Sequence, residues 1–160
     1  MRKFGVILIT LLLSACATSP TFKLDNIDYN LTAKNATHTG SNTGQTVLWG
    51  GTILSSQNLK DKTRLEVLAY PVDKQGRLDT DAQPLGRFYG LYNGYLETAE
   101  YRKNRWISLT GTFAGMETGK VGDADYRFPL VEITQLHLWT QDSLQSNSPN
   151  IQFGIGVLFH

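Results

Sequence analysis

The chain of 160 residues contains one cysteine, three histidines and two methionines. A lone cysteine excludes a disulfide framework and any cysteine-rich zinc site. The three histidines form no His-x-x-x-His pair and keep no carboxylate at ligand spacing, so no metal centre is expected. Charge is scarce as well. Asp, Glu, Lys and Arg make up 18% of the chain, and the formal net charge is +1. An average globular domain carries about 25%. A neutral chain has no general electrostatic hold on nucleic acid, so nucleic acid is excluded as a partner. No Gly-x-Ser-x-Gly elbow is present to raise a nucleophile. Gly154 and Gly156 fall in an apolar strand pattern and not at a helix start, which excludes a phosphate loop. Glu97 and Glu100 fit one face of a helical turn, and a solvated face explains them. No catalytic residue, no metal and no cofactor follows from these residues, and the expected protein is not an enzyme.

What is present points to a folded, mostly β domain: 41% hydrophobic residues, 11% aromatics and 15 glycines. The length suits one domain. The start of the chain has its own composition. Arg2 and Lys3 precede an apolar run from Phe4 to Leu13, broken only by Gly5 and Thr10. The run is too short for a bilayer core, which needs roughly 20 residues, and has the dimensions of a signal-peptide core. It ends in Leu13-Ser14-Ala15-Cys16, which resembles a bacterial lipobox. The resemblance implies cleavage before Cys16 and attachment of a diacylglycerol and an N-acyl chain to it. The plainer alternative is an ordinary secretory signal with a chance cysteine. Three acyl chains hold a domain firmly, since stable anchoring takes about two. Ala17 stands where an Asp is associated with inner-membrane retention, so the implied address is the outer membrane, with the domain facing the periplasm. Losing Arg2 and Lys3 with the signal takes the formal charge from +1 to one negative.

Three segments are expected: a signal peptide over 1–15, a lipidated tether and polar loop over 16–45, and a β domain over 46–160. Asn26 to Gln45 is rich in Asn, Thr, Ser and Gly and reads as loop. Val47 to Leu54 is strand-like, with a bulge expected at Gly50-Gly51. Leu65, Val67 and Ala69 alternate with polar residues up to Pro71. Arg87 to Leu96 is an aromatic strand, and Glu97 to Lys103 suits one or two helical turns. Ile107, Leu109, Gly111 and Phe113 alternate again, Gly115 to Asp125 reads as a turn, and Phe128 to Trp139 is a long strand with an ambiguous inward frame. Trp106 and Trp139 are expected in the core. Ile151, Phe153, Ile155, Val157 and Phe159 mark a terminal strand. This order is that of a small OB-like barrel of five to six strands, with one short helix between the third and fourth.

The segments Val47-Leu48-Trp49-Gly50-Gly51, Tyr70-Pro71-Val72, Gly94-Tyr95-Leu96, Leu109-Thr110-Gly111-Thr112, Tyr126-Arg127-Phe128-Pro129 and His137-Leu138-Trp139, in this order behind the lipobox, resemble the Slp family of outer-membrane lipoproteins. The resemblance runs from about Gln45 to Trp139 and implies a starvation- or stationary-phase-associated envelope protein without established catalytic residues. Two functions stay open. One is an envelope interaction module that contacts a protein through strand edges or the terminal strand. The other is a glycan- or peptidoglycan-fragment-binding module using Tyr89, Tyr92 and Tyr95, whose rings on one Gly-spaced strand suit stacking. Core aromatics are the plainer account of those rings, and a structural role that of His137. The terminal strand is expected to pair within the domain, covering a barrel edge, with a partner strand or the lipid surface as the alternative.

Overall fold

Alternation of apolar and polar residues becomes alternation of inside and outside. In β2 (Lys62–Tyr70), Thr63, Leu65, Val67 and Ala69 are buried and their neighbours are half-exposed. The same two-residue period, fixed by strand geometry, orders β3 (Arg87–Asn93), whereas β1 (Thr46–Asn58) buries Val47 to Gly51 in succession. β4 (Trp106–Val121) and β5 (Ala124–Leu138) are longer and bend. The computed structural model describes residues 22–36 and 42–145. The strands close into a barrel in the order β1-β2-β3-β5-β4. Only β3 and β5 are parallel, with Tyr89 opposite Leu130 and Tyr92 opposite Ile133. This is the five-stranded OB-type barrel expected from the strand order.

The core is a column of apolar side chains from all five strands, including Val47, Ile53, Leu65, Phe88, Leu109, Phe113 and Val131. Trp49 packs edge-on against Phe88, with ring centroids 5.2 Å apart. Buried polar groups at the barrel ends are paired, as burial demands. Thr63 donates its hydroxyl to Asn58 Oδ1 (2.6 Å) and accepts the Leu96 N–H (2.9 Å). Ser108 donates to the Gly76 carbonyl (2.6 Å) and accepts the Trp139 indole N–H (2.9 Å). Trp139 is buried as expected, whereas Trp106 is half-exposed and rests edge-on against Tyr70.

Several sequence expectations are corrected. The segment Glu97 to Lys103 forms turns, with one Tyr101 N–H to Glu97 carbonyl bond of 2.9 Å, and no helix is assigned there. So short a stretch without an apolar face does not repay helix nucleation. Among the described residues the short helices are α1 (Ala33–Ala36), ahead of β1, and α2 (Gln141–Gln145), after β5. Gly115 to Asp125 is not a turn either. β4 continues through it, with a register shift between Phe113 and Gly115, and the chain reverses only between Val121 and Ala124. The polar segment before Gln45 is partly structural: Leu31, Ala33 and Ala36 are buried in the core cluster. Trp49 donates its indole N–H to the Leu31 carbonyl at 2.6 Å, pinning the segment down. The Gly50-Gly51 pair carries no bulge, which lies instead between Ile53 and Ser55. Gly51 serves close approach, because a Cβ there would collide with the Leu68 carbonyl.

Candidate interaction surface

The longer hairpin reaches past the barrel wall and folds a second aromatic cluster over the outside of β3. Phe128 of β5 is buried yet stacks on Tyr89, an outward residue of β3, with centroids 4.1 Å apart and planes 13° from parallel. Tyr126 leans on the same Phe128 at 4.6 Å and accepts the Arg87 backbone N–H at 2.9 Å. Gly119 makes this stacking possible. A Cβ there would lie 2.9 Å from the Phe128 ring and 3.2 Å from the Tyr89 hydroxyl. The ambiguous inward frame of β5 is thereby explained: Val131 and Ile133 face the core, while Phe128 is buried under the hairpin.

Charges close over these rings. Arg64 places its guanidinium 4.9 Å from the Tyr89 centroid and bonds Glu117 at 3.1 Å. Arg87 bonds Glu66 at 2.8 Å. Arg64 Nε is buried and has no hydrogen-bond partner. Burial raises the Tyr89 hydroxyl above its ordinary pKa, and Glu66 adds to the effect. The phenol therefore stays neutral at physiological pH. Sequence reading missed these four charged residues. The outward alternation of Arg64 with Glu66, and of Arg87 with Tyr89, was the available signal. Glu117 was hidden because its segment reads as a turn.

The three tyrosines singled out from sequence do not share a surface. Tyr89 faces outward between Phe128 and Arg64. Tyr92, on the opposite face of β3, packs against the core. Tyr95 lies beyond the strand, 64% exposed, with its hydroxyl donating to the Lys60 carbonyl. His137 packs edge-on against Trp139 at 4.6 Å, and burial lowers its pKa below 6.5. Cys16 and the terminal segment Ile151 to Phe159 lie outside the described residues. Among the described residues, no group of three His, Cys, Asp or Glu side chains gathers to hold a metal, and no helix is long and apolar enough to cross a membrane.

One strand edge has no paired strand among the described residues. β1 pairs with β4 only as far as Thr46 opposite Thr112. Gly44 and Gln45 extend the contact to Phe113 through bonds of 2.8 and 2.9 Å. Beyond it, Met116 to Val121 pairs with β5 on one side and, among the described residues, with no strand on the other. The far end of this hairpin carries the Lys120–Asp125 ion pair, 2.9 Å long and well exposed.

Comparison with known proteins is consistent over most of the chain. Outer membrane protein Slp of Escherichia coli is 27% identical over 164 residues, covering 99% of this chain and 87% of its own. The uncharacterized lipoprotein YeaY of Escherichia coli is 31% identical over 108 residues, covering 66% of this chain and 55% of its own. An uncharacterized protein of Haemophilus influenzae is 37% identical over 97 residues, covering 60% and 52%. The chain thus spans about half the length of these last two relatives. Among solved structures, the mitochondrial single-stranded DNA-binding protein Rim1 of S. cerevisiae superposes with a TM-score of 0.38 at 13% identity, covering 59% of this chain and 94% of its own. A small single-stranded DNA-binding protein of Streptomyces coelicolor gives 0.39 at 9% identity, covering 59% and 94%. The family model described as outer membrane lipoprotein Slp family matches residues 13–155, and the chain belongs to that family.

Proposed function

We propose that the protein is a non-enzymatic interaction module of the cell envelope. In this reading it is lipidated on Cys16, held in the outer membrane facing the periplasm, and contacts a protein partner through the β4–β5 hairpin. The observation that carries the reading is the edge of β4 from Met116 to Val121, which pairs with no strand among the described residues other than β5 on its far side. A strand added there would find a row of backbone donors and acceptors in register, the recognition mode of β-augmentation. Glu117 and Lys120 lie along the same stretch, and charge on an edge discourages pairing between identical copies. The neighbouring face adds Arg64, Arg87 and Tyr89, residue types enriched where partners bind tightly. The starvation link carried by the family resemblance belongs to this reading. It predicts a higher level of the protein in stationary cells than in growing ones.

The glycan-binding alternative finds less support. A sugar ring stacks on an open aromatic face, but Tyr89 lies between Phe128 and Arg64, and Tyr92 packs inward.

The test is a photo-crosslinking amino acid at exposed Thr118 in intact cells, with one at exposed Asp79 as a control elsewhere on the barrel. A discrete protein adduct at Thr118 and none at Asp79 is expected. No protein adduct at Thr118, or the same adducts at both sites, overturns the hairpin as the contact element. The anchor is tested separately. Cys16→Ser is expected to leave the membrane fraction with its fold intact, and retention in that fraction overturns the lipid anchor.

A further inference from the structure

An apolar cavity of about 390 Å³ opens where the N-terminal segment crosses β1 and the end of β2. Its walls include Leu31, Leu48, Trp49, Val72 and Leu85. Two bonds tie lining residues to one another and fix the walls: the Trp49 indole N–H to the Leu31 carbonyl (2.6 Å), and the Leu85 N–H to the Ala69 carbonyl (2.8 Å). At the rim, Lys74 Nζ sits 5.8 Å from the ring centroid of Tyr29, itself 46% exposed.

The chemistry of the lining selects the ligand. The indole N–H of Trp49 is already given to Leu31. The Asp73 carboxylate accepts the N–H groups of Gln75 (2.9 Å) and Arg77 (2.8 Å) within its own loop. Tyr29, Thr32, Tyr70 and Lys74 add polar groups, but the rest of the lining is apolar, so a sugar or peptide entering here would lose more water bonds than the walls replace, a cost hydrocarbon does not carry. The volume is within the range of small-molecule sites, about 300–1,000 Å³. At roughly 30 Å³ per water-sized group it holds about a dozen such groups, which suits one hydrocarbon chain and not a whole lipid.

The position of the cavity selects the source. Phe22, where the described chain begins, packs against Gly76 beside Leu48, a wall of the cavity. The stretch from Cys16 to Phe22 reaches at most about 20 Å at roughly 3.3–3.6 Å per residue. We propose that the cavity is an acyl-chain site and that its occupant is one of the chains carried by Cys16. This rests on the lipidation of Cys16 proposed above. A chain seated there is shielded from water whenever the protein is not inserted in a membrane.

Two measurements test it. Bromododecanoic acid, added to the full chain carrying Cys16→Ser, is expected to quench tryptophan emission saturably, since Trp49 is a wall of the site. Val72→Phe or Leu85→Phe in that background should weaken the quenching by about tenfold or more, with the thermal midpoint retained. Absence of saturable quenching, or quenching that neither folded variant weakens, overturns the site. The source is read in cells fed a diazirine-bearing fatty acid and irradiated. Peptides containing Leu48 or Leu85 are expected to be joined through lipid to the Cys16 peptide. Phospholipid adducts on those peptides, with no link to Cys16, overturn the source. If intact mass shows Cys16 without lipid, the anchor reading has failed, and quenching of the Cys16→Ser chain still decides the cavity.

Discussion

Phe88 and Tyr89 are neighbours on β3 whose rings belong to different clusters. Phe88 points inward to Trp49 and the barrel core, whereas Tyr89 points outward to Phe128 under the hairpin. The inner cluster is surrounded on all sides by apolar side chains and closes on itself. The outer one is a thin layer of rings sealed by two ion pairs, Arg64–Glu117 and Arg87–Glu66. Core rings gain from complete removal from water, and a void left among them collapses only in part. Rings on the outer wall have a single hairpin arm and long charged side chains over them, and the charged side chains can settle into a gap. Burial of a ring therefore does not by itself say how much stability it carries, because its neighbours' freedom to move matters as much.

Variants separate the two clusters by size of effect. Phe88→Ala should destabilise by about 3–5 kcal/mol, measured by urea unfolding, and a similar loss is expected for buried Trp139→Ala. Phe128→Ala should fall at or below the low end of that ~3–5 kcal/mol range. A loss equal to that of Phe88→Ala would show the outer cluster to be as rigid as the core. Trp106→Ala, removing a half-exposed ring, should cost less than Trp139→Ala in the same assay. Glu117→Gln should change stability by only about 0–1 kcal/mol, because both partners of its ion pair are about a third exposed. A loss well above that would make the charged lid a structural element in its own right.

The smallest expected effect concerns His137, which stands on the Trp139 side of the core. Burial lowers its folded pKa below the ordinary 6.5. The unfolded chain then takes up a proton that the folded chain refuses, so folding is favoured above about pH 6.5 and loses ground as pH falls toward the folded value. His137→Gln should flatten that part of the stability–pH profile. An unchanged slope between wild type and variant would remove the histidine as its cause.

Much of the barrel was legible from runs of strand-forming residues, with strict alternation in β2 at Leu65, Val67 and Ala69, while β1 and β4 also bury successive residues on both faces. The outer cluster was not. Glycine has two opposite uses in a β protein, turning the chain and letting surfaces touch, and sequence does not separate them. Gly115 and Gly119 read as turn residues, yet one sits at a register shift and the other makes room for Phe128. The same ambiguity at Gly50-Gly51 misplaced the bulge. Leu31 was overlooked because one apolar residue in a polar tract carries no period, and its burial depends on Trp49, distant in sequence, offering an indole N–H. Tyr89, Tyr92 and Tyr95 were grouped by proximity along the chain. Strand parity separates the first two, and Tyr95 lies past the end of the strand.

The topology also governs how the molecule comes together in time. β1–β2 and β4–β5 are hairpins between neighbours in sequence and are free to form early. Closure needs Thr46 to meet Thr112 and β3 to run alongside β5 in parallel, contacts between distant parts of the chain. Such non-local pairings slow folding of β domains to roughly the millisecond-to-second range. Until they form, two open-edged sheets persist. A chain of this design therefore passes through a window in which it is most exposed to aggregation, and a factor that holds β5 away from β3 would lengthen that window without touching the finished barrel.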